Sequence, residues 1–97
     1  MMLTVRTKFA LALLHDISRR DYRLSNTFNY PASESAYLLS QLESKQLICR
    51  IPDTPMGIPS SYQLFREYMN ISLLDVLEAI GEGLYFNTTN QDNFYCY

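Results

Sequence analysis

The chain has 97 residues, 47% of them hydrophobic, which fits a single domain with a packed core. Its formal net charge of −2 excludes a protein that coats nucleic acid or membrane by bulk electrostatic attraction, so any nucleic-acid site must be local. No stretch reaches the roughly 18 apolar residues of a membrane span and the N-terminus lacks the basic region of a signal peptide, so we expect a cytoplasmic protein without membrane contact.

The first predicted helix covers residues 4–20, "TVRTKFALALLHDISRR". Its apolar residues recur every three to four positions and so predict one buried stripe, made of Val5, Phe9, Ala12, Leu13 and Ile17. Thr4 is the expected N-cap, while Arg19 and Arg20 suit the negative end of the helix dipole. His15 lies off the stripe, which predicts a surface histidine.

A short second helix and a longer third one follow. Residues 24–29 predict at most a short helix, because their Ser, Asn and Thr residues favour caps and turns. The third helix should begin between Pro31 and Ser33 and end near Gln46. Its predicted apolar stripe consists of Leu38, Leu39, Leu42 and Leu47.

A β-hairpin is predicted next. Residues 47–51, "LICRI", read as a strand and residues 61–65, "SYQLF", as its antiparallel partner. The segment between them holds three prolines and a glycine, which cannot continue a ladder and therefore predict a stiffened loop.

The last predicted element is a helix that begins at Ser72, with Asp75 as its capping-box partner, and stops at Gly81. The order of elements over residues 1–84 predicts a mainly α domain with a small β-hairpin, a winged helix-turn-helix. Residues 85–97 form a short polar and aromatic C-terminal tail, expected either to be flexible or to pack on a partner subunit.

Metal and enzyme chemistry have little support in the sequence. The two cysteines, Cys49 and Cys96, lack the paired spacing of a zinc site or a redox dithiol. There is no nucleophile with an adjacent base, no phosphate-binding glycine loop and only one histidine. We therefore predict that the protein is not an enzyme.

Three blocks of the sequence carry a family resemblance: "MLTVRTKFALALLHDI", "LLSQLESKQLICRI" and "ISLLDVLEAIGEG". In order and spacing they resemble the Rrf-two family of bacterial winged-helix regulators, which includes an iron–sulfur cluster regulator, over about residues 2–84. The resemblance implies a dimeric transcription factor that places its third helix in the major groove and its hairpin wing along the DNA backbone or minor groove. It further implies phosphate contacts near the start of the first helix, at Thr4, Arg6, Thr7 and Lys8.

The chain also departs from that family. Many members bind an iron–sulfur cluster through three closely spaced cysteines after the fourth helix, where this sequence has "GEGLYFNTTNQDN" without a cysteine. We therefore expect no cluster and no other cofactor. Family members usually have a long C-terminal dimerisation helix, and we expect none in this sequence up to Tyr97. A homodimer would therefore rely on the first helix, the fourth helix and the tail. Ser60 and Ser61 replace the family's Gly-Gly before the second strand.

DNA binding needs base-reading groups and cations, and the two can be judged separately. The candidate base-reading side chains on the third helix are Ser33, Ser35, Tyr37, Ser40 and Gln41. The candidate phosphate contacts are Arg6, Lys8, Arg23, Lys45, Arg50 and Arg66. The leading hypothesis is a sequence-specific transcriptional regulator, a repressor, that binds double-stranded DNA as a homodimer. The alternative is a winged-helix module for protein–protein interaction, which the acidic balance and the cation-free front of the third helix favour.

Overall fold

The computed structural model describes residues 3–82, so the predicted tail at 85–97 lies outside the described residues. The chain is mainly helical with one small antiparallel sheet, as predicted. In chain order its helices and strands are α1 (Val5–Arg19), α2 (Arg23–Asn26), α3 (Ala32–Ser44), β1 (Ile48–Arg50), β2 (Tyr62–Leu64) and α4 (Leu73–Ile80). Two 3₁₀ turns, Pro59–Ser61 and Tyr68–Asn70, come before β2 and α4. None of the helices within residues 3–82 has the length and apolar character needed to cross a bilayer.

Helix α1 has the predicted N-cap, because the Thr4 side-chain oxygen accepts the Thr7 N–H at 3.1 Å. Two details of the prediction are wrong. Val5 is 59% exposed rather than part of the buried stripe. Arg20 is not in the last turn but follows it with φ 56°, and its guanidinium donates to the backbone carbonyls of Tyr62 and Ser60 at 2.7 and 3.3 Å. Arg20 therefore ties the end of α1 to the hairpin.

Helix α2 is held against α1 by a buried carboxylate. Asp16 is 1% exposed, and its Oδ2 accepts the backbone N–H of Ser25, in the first turn of α2, at 2.7 Å. Its Oδ1 lies 3.4 Å from Nδ1 of His15, which is partly exposed rather than fully on the surface. The predicted short helix is present but spans Arg23–Asn26 rather than residues 24–29. The residues that follow favour turns and do not extend it.

The hydrophobic core lies between α1, α3, α4 and the hairpin. Helix α3 begins within the predicted window and ends two residues before Gln46. Leu38, Leu39 and Leu42 of its predicted stripe are fully buried. Leu47, the fourth residue of the stripe, follows the end of the helix and is also buried. Around them pack the core residues of the other elements, namely Phe9, Ala10, Leu13, Leu14, Ile17, Ile48, Tyr62, Val76, Ala79 and Ile80.

The hairpin pairs Ile48 with Leu64 and Arg50 with Tyr62, so each strand is two residues shorter than predicted. Its loop (residues 51–61) folds back towards Tyr62 and α3. The Gly57 N–H donates to the Tyr62 hydroxyl at 3.2 Å, with Gly57 at φ +81°. A Cβ at this position would lie 3.1 Å from Cβ of Ala36, so the loop lies against one flank of α3.

Helix α4 begins and ends as predicted. The Ser72 side chain accepts the Asp75 N–H, and the Asp75 carboxylate accepts the Ser72 N–H at 2.9 Å, which completes the capping box. Gly81 ends the helix in the left-handed conformation with φ 75°. Arg66 also binds Asp75, with its Nη2 3.1 Å from the carboxylate.

One buried hydroxyl is expected to cost the fold some stability. Tyr22 packs against the core, and its hydroxyl oxygen is buried without a hydrogen-bond partner among the described residues. Since an unpaired buried polar group costs free energy, Tyr22→Phe should leave the free energy of unfolding unchanged or raise it by about 1 kcal/mol. Urea titration would measure this change. The control is Tyr68→Phe, on an exposed tyrosine, which should have no effect. A loss of stability in Tyr22→Phe alone would contradict the prediction.

Candidate nucleic-acid interface

The outer face of α3 carries a stripe of hydroxyl groups. Ser33, Tyr37, Ser40 and Ser44 are all exposed and follow one another at intervals of three or four residues, which places them on one side of the helix. Tyr37 is the largest of them and is 56% exposed. The opposite side of α3 is buried in the core. We call these four residues the hydroxyl stripe. Three of them are predicted base-reading groups, and Ser44 was not among the predicted ones.

Ser35 does not belong to this surface. It is partly buried and lines a cavity of about 290 Å³ together with residues of α1, α2 and the segment between α2 and α3, such as Phe9, Ser25 and Asn29. The side chain of Ser35 thus lies on the inner side of α3, away from the hydroxyl stripe, and its role in reading bases stays a prediction.

The side chain of Arg6 joins three elements. Its Nη1 donates to the Ile80 carbonyl at 2.9 Å, and its Nη2 donates to Oε1 of Gln41 at 2.7 Å. Its Nη1 also lies 3.7 Å from a carboxylate oxygen of Glu82. The guanidinium carbon is 5.7 Å from the centre of the Tyr37 ring, which allows a cation–π contact. The start of α1, the middle of α3 and the end of α4 thus meet at one guanidinium.

Glu82 completes this group, which we call the Arg6 cluster (Thr4, Arg6, Thr7, Gln41 and Glu82). The hydroxyls of Thr4 and Thr7 both donate to Glu82, that of Thr7 at 2.7 Å. Thr7 is fully buried, so its side chain is not accessible to phosphate in this structure. Thr4 and Arg6 are likewise bonded within the chain rather than directed to a ligand, and the sequence had not marked Glu82 as a partner.

The environment of Glu82 favours its charged form. The Thr4 hydroxyl above all, then the Thr7 hydroxyl and the Arg6 guanidinium, lower the pKa of the Glu82 carboxyl against the opposing effect of burial. A carboxylate whose pKa is depressed in the folded state stabilises the fold above its ordinary pKa of 4.5. That contribution is lost as the pH falls through the lower pKa of the folded state.

Glu82→Gln should therefore make the free energy of unfolding less dependent on pH at acidic pH. At pH 7 we expect a loss of about 1–2 kcal/mol in the free energy of unfolding, typical of hydrogen bonds to a charged group. The difference should shrink as the pH falls below 4.5 and through the lower pKa of Glu82 in the folded state. Urea titrations of both proteins at several pH values would measure it. Asp75, whose pKa is lowered mainly by its backbone hydrogen bond from Ser72, titrates in both proteins, so the difference between their curves isolates Glu82. Parallel curves would contradict the prediction.

The predicted phosphate contacts divide into two groups. Arg50 donates to the Thr54 carbonyl at 2.5 Å, and Arg66 binds Asp75 and the Asn70 carbonyl, so both are engaged within the chain, as is Arg6. The other three are exposed, on three different elements: Lys8 on α1, Arg23 at the start of α2 and Lys45 directly after α3. Arg23 also forms a surface ion pair, with its Nε 3.4 Å from Oδ1 of Asp21. These three are the cations that the structure leaves most accessible among the predicted set.

Metal binding has no site in the described part of the chain. Within residues 3–82, no three His, Cys, Asp or Glu side chains lie close enough together to hold a metal ion. Cys49 is a free, partly buried thiol in β1, and Cys96 falls outside the described residues.

The described surface thus combines an uncharged hydroxyl stripe on α3, three exposed cations and the Arg6 cluster at the edge of the stripe. Comparison with protein-family models, with curated proteins and with solved structures gave no match to this chain.

Proposed function

We propose that the chain is a sequence-specific DNA-binding transcriptional regulator, a repressor of the winged helix-turn-helix type, that acts as a homodimer in the cytoplasm. The observation that carries the proposal is the hydroxyl stripe on α3. Hydroxyls can both donate and accept hydrogen bonds, so they suit base edges, and their lack of charge adds no repulsion from phosphate. Ser40 and Ser44 already donate to the carbonyls of Tyr37 and Gln41, at 2.6 and 3.3 Å, and so offer acceptors. The opposite side of the helix is anchored in the core, which would hold the stripe in a fixed orientation.

The neighbouring elements support the same proposal. The short helix α2 precedes α3 across a turn, and in a helix-turn-helix the first residues of the second helix contact bases while the first helix crosses the DNA backbone. Ser33 and Tyr37 lie in that first half of α3. Arg23 begins α2, where a phosphate contact is expected.

The exposed cations bear on affinity. Because Lys8, Arg23 and Lys45 are the accessible members of the predicted set, three phosphate contacts per subunit give a dimer a salt slope of roughly −5. A monomer with half that number would bind poorly at physiological salt. The proposal therefore requires two subunits that present their α3 helices about 34 Å apart, one turn of DNA.

Selection from random duplexes at about 50 mM salt, followed by fluorescence anisotropy on the selected sequence, would test the proposal. Tyr37→Ala should weaken binding roughly tenfold, since it removes a side chain from the proposed contact surface. The matched control is Tyr68→Ala, another exposed tyrosine that lies in the 3₁₀ turn before α4. No selected duplex, or equal binding by Tyr37→Ala and the unmodified chain, would count against it.

A second candidate, a module for protein–protein interaction, has one specific observation in its favour. The loop of the hairpin folds back beside α3 and exposes apolar side chains there, with Met56 72% and Ile58 44% exposed. A wing that follows DNA would instead be expected to present polar or basic groups. This candidate predicts that the selection yields no duplex at any salt concentration.

A further inference from the structure

Arg6 and Gln41 form a contact that bears on which base the protein would read. We propose that Arg6 is a positioning residue that fixes the side-chain amide of Gln41 and thereby sets its base preference. This inference rests on the proposed DNA-binding function and deepens it. It also assigns Arg6 a role different from the phosphate contact that the family resemblance implies.

The orientation of the Gln41 amide follows from the chemistry of its partner. A guanidinium has five N–H donors and no acceptor, so only the amide oxygen of Gln41 can bond to it. Nη2 of Arg6 lies 2.7 Å from Oε1 of Gln41, within the range of a strong hydrogen bond. The amide oxygen is therefore turned towards α1, and the NH₂ group is the part left for another partner.

The guanidinium cannot easily release that oxygen, because three further groups hold it. The Ile80 carbonyl at the end of α4 accepts from its Nη1, the Glu82 carboxylate lies 3.7 Å away, and the Tyr37 ring lies beside it. The Arg6 side chain is only 26% exposed. Gln41 is thus held on α3, next to Tyr37 of the hydroxyl stripe, with one fixed orientation of its amide.

A fixed donor end changes the base that glutamine prefers. A free glutamine binds adenine with two hydrogen bonds, accepting from N6 with its oxygen and donating to N7 with its nitrogen. The Gln41 oxygen is turned towards Arg6, so a base that meets the opposite end of the amide meets its NH₂ group. That group only donates, and guanine is the base that offers two acceptors, O6 and N7, in the major groove. The geometry therefore points to guanine rather than adenine at the base pair that Gln41 contacts.

Arg6→Lys is the variant that separates positioning from phosphate binding. Lysine keeps the positive charge but loses the planar fork that binds Gln41 and the Ile80 carbonyl together. We would select duplexes with the unmodified chain and with Arg6→Lys, and measure binding of each to a set of operator variants by anisotropy over a range of salt. Gln41→Ala identifies the base pair concerned, and Lys8→Met is the control for an exposed cation on the same helix. Circular dichroism would confirm that each variant is folded.

We expect the unmodified chain to bind operators with guanine at that base pair more tightly than operators with adenine. Arg6→Lys should lower this ratio of affinities roughly tenfold and leave the salt slope unchanged. Lys8→Met should do the opposite, reducing the slope without changing the base preference. If Arg6→Lys keeps the guanine preference, or if Gln41→Ala changes no preference at all, the positioning role is overturned while DNA binding stands. If the unmodified chain selects no duplex, the proposed function falls and this inference with it.

Discussion

Asp16→Ala should lower the free energy of unfolding by about 2–3 kcal/mol, because it leaves a buried N–H without an acceptor. Asp16 is 1% exposed, and its Oδ2 receives the Ser25 N–H at 2.7 Å. Ser25 is itself buried, so water cannot easily replace the carboxylate. The substitution also removes the only described side-chain bond from α1 to the backbone of α2, and α2 should become the first helix to lose its structure.

Urea unfolding followed by circular dichroism would measure this loss, and hydrogen exchange at the Ser25 amide would locate it. Asp16→Asn is the matched control, since the side-chain oxygen of asparagine can still accept the Ser25 N–H; it should lose less than half as much stability as Asp16→Ala. If the alanine variant unfolds within about 0.5 kcal/mol of the unmodified chain, Asp16 does not hold α2 in the way the structure indicates.

The long elements of this fold could be predicted because their signals are local. Helix α1 shows a cap at Thr4 and apolar residues at helical spacing, and α4 shows its complete capping box at Ser72 and Asp75. The burial of Asp16 has a local signal too, since Asp16 lies three residues after Leu13 and four after Ala12, on the buried side of α1. Its hydrogen-bond partner has none, because the Ser25 N–H belongs to a segment nine residues later that has little helical character of its own.

The candidate site could be predicted only in part, for a similar reason. The hydroxyl stripe follows from helical spacing, and the same spacing could have excluded Ser35, which lies three residues before Leu38 and four before Leu39 on their buried side. The Arg6 cluster could not have been found in this way. Thr7 and Glu82 are 75 residues apart, and nothing in the pattern of either segment indicates that the start of α1 packs against the end of α4.

Tyr62→Ala, in the hairpin, should lower the free energy of unfolding by about 3–5 kcal/mol. Tyr62 is the largest of the fully buried side chains, and it belongs to the core cluster formed with residues of α1, α3 and α4. Native domains are stable by only about 5–15 kcal/mol, so this one change would remove a large part of the total. Urea or thermal unfolding would measure the loss.

Tyr62→Phe separates the ring from the hydroxyl. It keeps the packed ring but removes the acceptor of the Gly57 N–H, which is 3.2 Å from the hydroxyl oxygen, so the loss should be only about 1 kcal/mol. The effect should be local, with faster hydrogen exchange at the Gly57 amide and a loop that is freer to leave the flank of α3. Equal losses in the two variants would mean that the hydroxyl, not the ring, holds the hairpin to the core. In the expected case, Tyr62→Phe becomes a folded protein with a released loop, in which the effect of the loop on DNA binding can be measured directly.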